Sequence, residues 1–233
     1  MSETIHDIFT RVAPRYDTVN TVLSLGIHHL WRRATVEKSG VERGDAVLDC
    51  ASGTGDLAIA FARQVGPLGR VVASDFNRVM MAHGQEKTEH KNLPVDPEWH
   101  VEDVTEMSYP DDHFDVASIA FGIRNVDDPI AGLEEMARVV RPQGSVVVLE
   151  FGQPSGLIGP LYDLYNRTVV PFVGGLLTGQ RDAYDYLHES SSEFPCGQEF
   201  VAMMESTGRF DAVEHHAFTG GIAHFYRGTV APR

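Results

Sequence analysis

A strand, a glycine turn and the start of a helix follow one another between two carboxylates, and this unit constrains the fold more than any other part of the chain. It runs from Val47 to Ala58 with the sequence VLDCASGTGDLA. Apolar Val47 and Leu48 predict a buried parallel strand, and the glycines let a ligand approach the backbone closely. The unit therefore predicts the first strand and helix of a ligand-binding α/β fold.

Acidic residues follow the predicted strands at the edge where such folds bind ligands. Asp49 ends the first strand, and Asp56 opens the helix after it. Asp75 ends the second strand, 20 residues after Gly55, where a carboxylate can accept both hydroxyls of a ribose. Asp103 follows the third strand, where an adenine amino group would lie. A helix cap or a solvated loop charge explains each acid taken alone, but four acids at successive strand ends together favour a cofactor site.

Two cofactors are compatible with this turn. Gly53, Gly55 and Ala58 match the G-x-G-x-x-G/A pattern of nicotinamide dinucleotide sites. A pyrophosphate, however, prefers backbone N–H groups and little negative charge, whereas Asp49 and Asp56 flank the turn. S-adenosylmethionine (SAM) carries an ammonium, a sulfonium and a ribose, so acidic neighbours suit it better. The sequence favours SAM and keeps a nicotinamide oxidoreductase as the alternative.

Composition limits the cellular setting and the partners. The 233 residues are 42% hydrophobic, enough for the core of one globular domain. Cys50 and Cys196 have no metal or redox spacing, which predicts a reduced cytoplasmic compartment and no metal site. The segment MSETIHDIFTRV lacks the charged and apolar regions of a signal peptide. A formal net charge of −14 disfavours nucleic acid and gives no attraction to anionic lipid, so we expect any membrane contact to be apolar, transient and peripheral.

Strand and helix patterns alternate, which predicts a parallel sheet covered on both faces. Beyond residue 151 the alternation gives way to an apolar stretch from Gly156 to Gly179 that proline and glycine interrupt. This stretch is either a mobile cover that accepts an apolar tail or ordinary core. The predicted helices are 5–12, 28–39, 56–65, 77–90, 128–140 and 199–207; the predicted strands are 46–51, 70–74, 99–102, 115–121, 145–151, 212–217 and 223–230, the last two joined at Gly220–Gly221 as a hairpin.

Two long motifs match signatures of a known family. The first, Y-D-x-M-N-x-x-[LIVM]-S-x-x-x-H-x-x-W, stands from Tyr16 to Trp31 as YDTVNTVLSLGIHHLW, with Val19 in place of methionine. The second is RVVRPQGSVVVLEFG, from Arg138 to Gly152. The segments FGIRNV, DAYDYLHESSSEFP and TGGIAHFYRG extend the likeness over nearly the whole chain. The sequence thus resembles the SAM-dependent C-methyltransferases of ubiquinone and menaquinone biosynthesis.

The resemblance implies an α/β, Rossmann-like class I SAM-dependent methyltransferase with a seven-stranded doubly wound sheet and an antiparallel last strand. It implies one domain over 1–233, in which residues 1–40 form a helical substrate cover and 152–180 an apolar insertion or lid. Family motif positions point to Thr54, Asp75 and Asp103–Val104, and a position that is often serine is Ala120 here. With the acids and glycines of the turn, the expected SAM-binding set is Asp49, Gly53, Thr54, Gly55, Asp56, Asp75, Asp103, Val104 and Ala120.

Methylation of an aromatic carbon needs electron density from a neighbouring phenol, so the implied acceptor is a prenylated hydroquinone that loses a proton. Arg124 and Asn125 directly follow the fourth strand and are the candidates for stabilising and orienting the phenolate. His28 and Tyr16 are the candidates for moving the proton. Alternatively, Arg124 makes only a surface salt bridge and His28 only caps a helix or packs beside Trp31.

The acceptor is less well defined than the cofactor. The short chain favours demethylmenaquinol, and the alternatives are the benzoquinol precursor of ubiquinone or another phenolic small molecule. A non-catalytic scaffold that binds SAM in a quinone-synthesis complex is a further alternative. A homodimer is also expected, although no motif in the sequence indicates the oligomeric state.

Overall fold

A seven-stranded sheet forms the centre of this computed structural model, which describes residues 3–154, 156, 158–178 and 190–233. The second and fourth strands flank the first, and the long fifth strand lies beside the fourth, so the chain builds the sheet outward in both directions. The strands are β1 Ala46–Cys50, β2 Arg70–Asp75, β3 Glu98–Val101, β4 Phe114–Ala120, β5 Val140–Phe151, β6 Phe210–Phe218 and β7 Ala223–Val230.

Helices cover both faces of the sheet and its carboxyl edge. The helices are α1 Glu3–Val12, α2 Tyr16–Leu23, α3 Ile27–Lys38, α4 Asp56–Val65, α5 Arg78–Glu89, α6 Pro129–Val139, α7 Ile158–Thr178 and α8 Gln198–Ser206, with 3₁₀ turns at Ala13–Arg15, Ile123–Asn125 and Thr219–Gly221. Residues 190–193 are also helical.

The sheet order is β3-β2-β1-β4-β5-β7-β6, and β7 runs antiparallel to both of its neighbours. The chain moves from β1 to β3 on one side and then returns to place β4 on the other side of β1. Such a reversal opens a crevice at the carboxyl ends of the strands, where α/β folds bind ligands. The predicted doubly wound sheet with an antiparallel last strand is confirmed.

The alternation of side chains along β1 divides the core into two layers. Val47 packs on one face with Leu57 and Phe61 of α4. Leu48 packs on the other face with Met136 of α6 and with residues of α8. Because both faces are covered, the consecutive residues Val47 and Leu48 are both apolar, as the sequence predicts for a central parallel strand.

The N-terminal segment contains a helix that the sequence pattern does not reveal. The sequence predicts that Pro14 ends the first helix and that the next begins at residue 28. Instead, Pro14 lies in a 3₁₀ turn and α2 follows at once. This eight-residue helix owes its stability to tertiary packing, because its Val19 is buried against Ile8 and Val12.

The apolar stretch after β5 is also more regular than its composition suggests. Residues 158–178 form one helix, α7, with Pro171 inside it. Gly179 lies outside the described residues, as does the 182–189 part of DAYDYLHESSSEFP. β5 begins at Val140, directly after α6, because Val140 pairs with Phe114 before a register shift; the sequence predicts a later start. In the described ranges, no helix is long and apolar enough to cross a bilayer.

Candidate active site

Two adjoining cavities lie at the carboxyl edge of the sheet. The sheet-edge cavity, of about 90 Å³, lies over the ends of β1, β2 and β4. The helical cavity, of about 480 Å³, lies among α2, α3 and α7. Tyr16 and Phe121 line both. Phe121 has a φ of 56°, a region that non-glycine residues rarely adopt, and its ring lies 4.4 Å from that of Phe151.

The glycine turn and Asp75 fix one another in the sheet-edge cavity. The N–H of Gly53 donates to Asp75 Oδ2 at 2.7 Å, and the N–H of Asn77 donates to Asp75 Oδ1 at 2.7 Å. Gly53 has a φ of 56°, and a Cβ at that position would lie 3.3 Å from Met80. Because each carboxylate oxygen can accept more than one hydrogen bond, Asp75 is held in place and can still accept ribose hydroxyls.

Five of the predicted cofactor residues line this cavity together: Gly53, Asp75, Asp103, Val104 and Ala120. Asp103 accepts hydrogen bonds from the N–H of Thr105 at 2.9 Å and from its hydroxyl at 2.7 Å. Partial burial alone would raise the pKa of Asp103, but these two bonds lower it below its ordinary value. Glu102, which the sequence analysis does not single out, is a third carboxylate of the lining.

Asp49 and Gly55 do not line the cavity; they lie in the packing beneath the turn. Asp49 is 1% exposed and accepts a hydrogen bond from Ser118 Oγ at 2.7 Å. Burial raises the pKa of Asp49 to about 7. A Cβ on Gly55 would lie 2.4 Å from the ring of Trp99. Their roles as direct cofactor contacts therefore stay predictions, and the observed contacts are structural.

Thr54 and Asp56 belong to a network that ties α2 to the glycine turn. Thr54 Oγ1 donates to Asp17 Oδ1 at 2.5 Å. Lys87 Nζ donates to Asp17 Oδ2 and to Asp56 Oδ1, both at 2.7 Å, and Arg32 lies 3.0 Å from Asp56 Oδ2. Burial alone would raise the pKa of Asp56, but Arg32 and Lys87 lower it. The network holds α2 and α3 beside the glycine turn, whereas the substrate cover and the cofactor contacts of Thr54 and Asp56 stay predictions.

Arg124 lies in the wall of the helical cavity as half of a buried ion pair. Its Nη1 donates to the carbonyl of Phe121 at 2.9 Å and to Oε1 of Glu150. Both charged side chains are 2% exposed, so the alternative of a surface salt bridge is wrong. The guanidinium carbon lies 5.3 Å from the centre of the Phe151 ring. Glu150, on β5, is a residue that the sequence analysis missed.

Asn125 is separated from Arg124 although it follows it in the chain. Asn125 lines the sheet-edge cavity, whereas Arg124 lines the helical cavity. The Asn125 amide nitrogen lies 3.5 Å from the carbonyl of Phe121, near the junction of the two cavities. A role in orienting the acceptor stays a prediction for Asn125.

His28 lines the helical cavity and is 4% exposed. Ser24 Oγ donates to the carbonyl of Asn20 at 2.7 Å, so it accepts from Nδ1 of His28, 2.5 Å away. This arrangement leaves Nε2 as the lone-pair nitrogen of a neutral ring, and Nε2 has no partner among the described residues. Burial, with a smaller effect from Arg32, lowers the pKa of His28 to about 4.

Tyr16 lies at the junction of the two cavities. Burial raises the pKa of Tyr16, although Arg32, a hydrogen bond with Asn20 and Arg124 each act to lower it. Its hydroxyl is therefore a neutral donor and acceptor at physiological pH. Tyr16 and His28 both reach the helical cavity, but neither is a strong base there.

His28, His29 and Asp56 have potential ligand atoms within 4.8 Å of one another. Because Asp56 already pairs with Lys87 and Arg32, two cations occupy the carboxylate that a metal ion would need. This cluster therefore does not favour metal binding.

Residues 1–230 match the model of the ubiE/COQ5 methyltransferase family. The chain belongs to this family. It is 49% identical over 229 residues to the ubiquinone/menaquinone biosynthesis C-methyltransferase of Bdellovibrio bacteriovorus. This alignment covers 98% of this chain and 96% of the relative. The corresponding protein of Azotobacter vinelandii is 42% identical over 225 residues, covering 96% of this chain and 88% of the relative. The resemblance inferred from the motifs is confirmed, and this family member is a SAM-dependent C-methyltransferase.

Solved structures share the fold at low sequence identity. A SAM-dependent methyltransferase from Thermotoga maritima matches with a TM-score of 0.68 and 16% identity, covering 97% of this chain and 99% of that structure. A SAM-dependent methyltransferase from Aquifex aeolicus matches with a TM-score of 0.63 and 18% identity, covering 86% and 89%. At such identities the likeness concerns the fold alone, and it agrees with the predicted class I methyltransferase sheet.

The sheet-edge cavity fits SAM better than a nicotinamide dinucleotide. Its described lining contains the three carboxylates of Asp75, Glu102 and Asp103 and no lysine or arginine. This negative potential attracts the ammonium and sulfonium of SAM and opposes a pyrophosphate. The expected cofactor therefore agrees with the family, but the acids that line the cavity are these three and not Asp49 and Asp56, from which the choice was argued.

Proposed function

We propose that this family member methylates a ring carbon of a prenylated hydroquinone, with demethylmenaquinol as the preferred acceptor. The observation that carries the proposal is the helical cavity, which is mostly apolar, adjoins the sheet-edge cavity at Tyr16 and Phe121, and has a buried guanidinium in its wall. An aromatic ring at this junction would lie next to the cofactor, and an apolar tail would lie along α7.

Cofactor binding is assigned to the sheet-edge cavity. When bound, SAM would supply a methyl group that is activated because it is attached to a sulfonium, which leaves as a neutral thioether. Asp75 would accept the ribose hydroxyls, while Asp103 and the backbone at Val104 would receive the adenine. The network of Asp17, Lys87 and Asp56 keeps α2 over the junction and so limits the entry of water.

Arg124 would stabilise the phenolate form of the acceptor. A guanidinium stays protonated at every relevant pH, and its charge counts for more in a desolvated wall than at a surface. His28 offers an unpaired ring nitrogen as a hydrogen-bond acceptor, and Tyr16 offers a hydroxyl that can donate or accept. The proposed division is that Arg124 favours loss of the proton while Tyr16 and His28 position the hydroxyl.

The exposed side of α7 supports the proposed transient contact with a membrane. Ile158, Leu161, Leu164, Phe172 and Leu176 are exposed along this helix. Ile158 and Leu161 also line the helical cavity, so the cavity opens toward the apolar side chains. Asp163 and Arg167 are the only acidic and basic residues in the described part of α7, and they form an ion pair with each other. An apolar contact of this kind does not require attraction between the acidic chain and anionic lipid.

The test is incubation of the protein with labelled SAM and two chemically reduced acceptors, demethylmenaquinol and the corresponding benzoquinol, followed by mass analysis of the products. Carbon-methylated menaquinol as the main product supports the proposal. Preferential methylation of the benzoquinol would move the assignment to the ubiquinone branch. Binding of SAM without methylation of either acceptor would favour the scaffold alternative or a different phenolic acceptor.

A further inference from the structure

The ion pair between Arg124 and Glu150 is more costly than the fold needs. Both side chains are 2% exposed, so both charges are almost fully removed from water. Replacing a buried ion pair by apolar residues is often neutral or stabilising, because desolvation offsets the attraction between the charges. The charges therefore need an explanation other than stability.

The two charges differ in their access to the helical cavity. Arg124 lines it, whereas Glu150 is absent from the lining that the described residues form. Glu150 approaches the guanidinium from the sheet side, and its Oε1 also accepts from the N–H of Phe151 at 2.8 Å. The carbonyl of Phe121 holds the same Nη1 at 2.9 Å. Arg124 is thus fixed from behind, and Nε has no acceptor in the described part of the chain.

We infer that Glu150 is a positioning residue for Arg124: it fixes the guanidinium in the cavity wall and, through its negative charge, limits how strongly Arg124 favours the ionised acceptor. This inference rests on the proposed function, in which Arg124 stabilises a phenolate. With a neutral hydroquinone present, Arg124 and Glu150 balance one another. Ionisation of the hydroquinone adds a second anion beside one guanidinium, so the two anions compete for it.

Other titratable groups near the pair stay neutral or are already paired. Burial raises the pKa of Tyr16 on α2 and of Tyr162 on α7 above its ordinary value. Burial lowers the pKa of His28 on α3 and of His224 on β7, the residue opposite Glu150 in the pairing of β5 with β7. The remaining cation, Arg32 on α3, pairs with Asp56. Burial also raises the pKa of Glu150, although Arg124 and the N–H of Phe151 act to lower it. Because Glu150→Gln has no carboxyl group at this position, a rise in turnover that persists in that variant reports the acceptor beside Arg124.

The experiment measures turnover against pH, at saturating SAM and reduced quinol, for the parent, Glu150→Gln and Glu150→Asp. Glu150→Gln keeps the shape and removes the competing anion, so turnover should begin to rise at a pH lower by on the order of one unit. Glu150→Asp keeps the charge but withdraws it by one methylene, so the rise should stay in place while turnover falls by about tenfold. SAM affinity should not change in either variant.

A rise at the parent pH in Glu150→Gln would overturn the inference, whatever the turnover. If thermal melting shows that Glu150→Gln does not fold, Glu150→Asp decides, because parent turnover in that variant also overturns it. Arg124→Ala separates this inference from the proposed function. Retained turnover in Arg124→Ala contradicts the role of Arg124 itself, whereas lost turnover together with an unshifted Glu150→Gln contradicts only the role of Glu150.

Discussion

The two cavities of this protein differ in the chain segments that form them. The sheet-edge cavity is made from a turn and strand ends that are close to one another in the parallel sheet, and its polar contacts are backbone N–H groups held by Asp75. The helical cavity is assembled from α2, α3, α7, the end of β5 and the turns after β4 and β6. The first has the local geometry of a shared cofactor site, whereas the second depends on how distant helices pack. We therefore expect substrate choice to depend on the helical cavity, because segments that are distant in the chain determine its shape.

Loss of the carboxylate at the end of β2 should have the largest effect, and it should be confined to the sheet-edge cavity. Two charge-assisted hydrogen bonds to a ribose contribute about 1.5–3 kcal/mol each, so Asp75→Ala should weaken SAM binding by about a hundredfold or more. Isothermal titration with SAM measures the change. Asp96→Ala, which removes an exposed carboxylate elsewhere, is the control. Unchanged affinity in a folded Asp75→Ala protein would remove this assignment.

The second expected effect is a loss of turnover without a loss of SAM affinity, and it tests whether the helical cavity contributes to methyl transfer and not to cofactor binding. Losing one preorganised donor to developing charge typically costs about 10²–10³ in rate, and we expect at least about tenfold for Arg124→Ala. SAM affinity should barely change, because the interaction forms mainly in the transition state. Arg124→Lys should recover little, since a point charge does not reproduce the planar donor fork. Near-normal turnover in folded Arg124→Ala would require another partner for the phenolate.

A smaller effect is expected where the helical cavity meets the exposed side of α7. Replacing Leu164 and Phe172 by glutamine should remove roughly 0.7 kcal/mol of apolar burial free energy per shallowly inserted side chain, about 1.4 kcal/mol in total. The KM for a long-tailed quinol in phosphatidylcholine vesicles should rise by about tenfold. The KM for a soluble short-tailed quinol should stay unchanged. Arg167→Gln on the same helix is the control, and equal effects on both quinols would contradict a contact with the bilayer.

The last expected effect is on stability and not on activity, and it concerns the buried histidine of the helical cavity. The pKa of His28 is about 4 in the folded protein, below its ordinary value of 6.5. The unfolded chain therefore binds the proton more readily, and stability is lost as the pH falls from about 6.5 toward 4. The loss should be about 3 kcal/mol, or roughly 6–12 °C in melting temperature. His28→Gln should remove this pH-dependent loss, whereas His90→Gln, at an exposed site, should retain it.

Local sequence was sufficient for the sheet and for the residues at its edge. Val47 and Leu48 are consecutive apolar residues, which predicted a central strand, and helices do cover both faces of that strand. The glycine turn after them needs backbone angles that few other residues adopt. Asp75 and Asp103 were placed correctly at the sheet-edge cavity because the ends of parallel strands meet at one edge. These features depend on neighbours in the chain and on the regular geometry of the sheet.

The parts that the sequence did not determine depend on contacts between distant segments. α2 and α7 were not predicted as helices, because eight residues, or an interior proline, do not specify a helix without packing. Likewise, the sequence offered Arg124 without its partner. Glu150 lies 26 positions away in the chain and is brought beneath Arg124 only when β5 pairs with β4. A motif specifies residue types, but the burial that gives a charge its strength is decided by the tertiary structure.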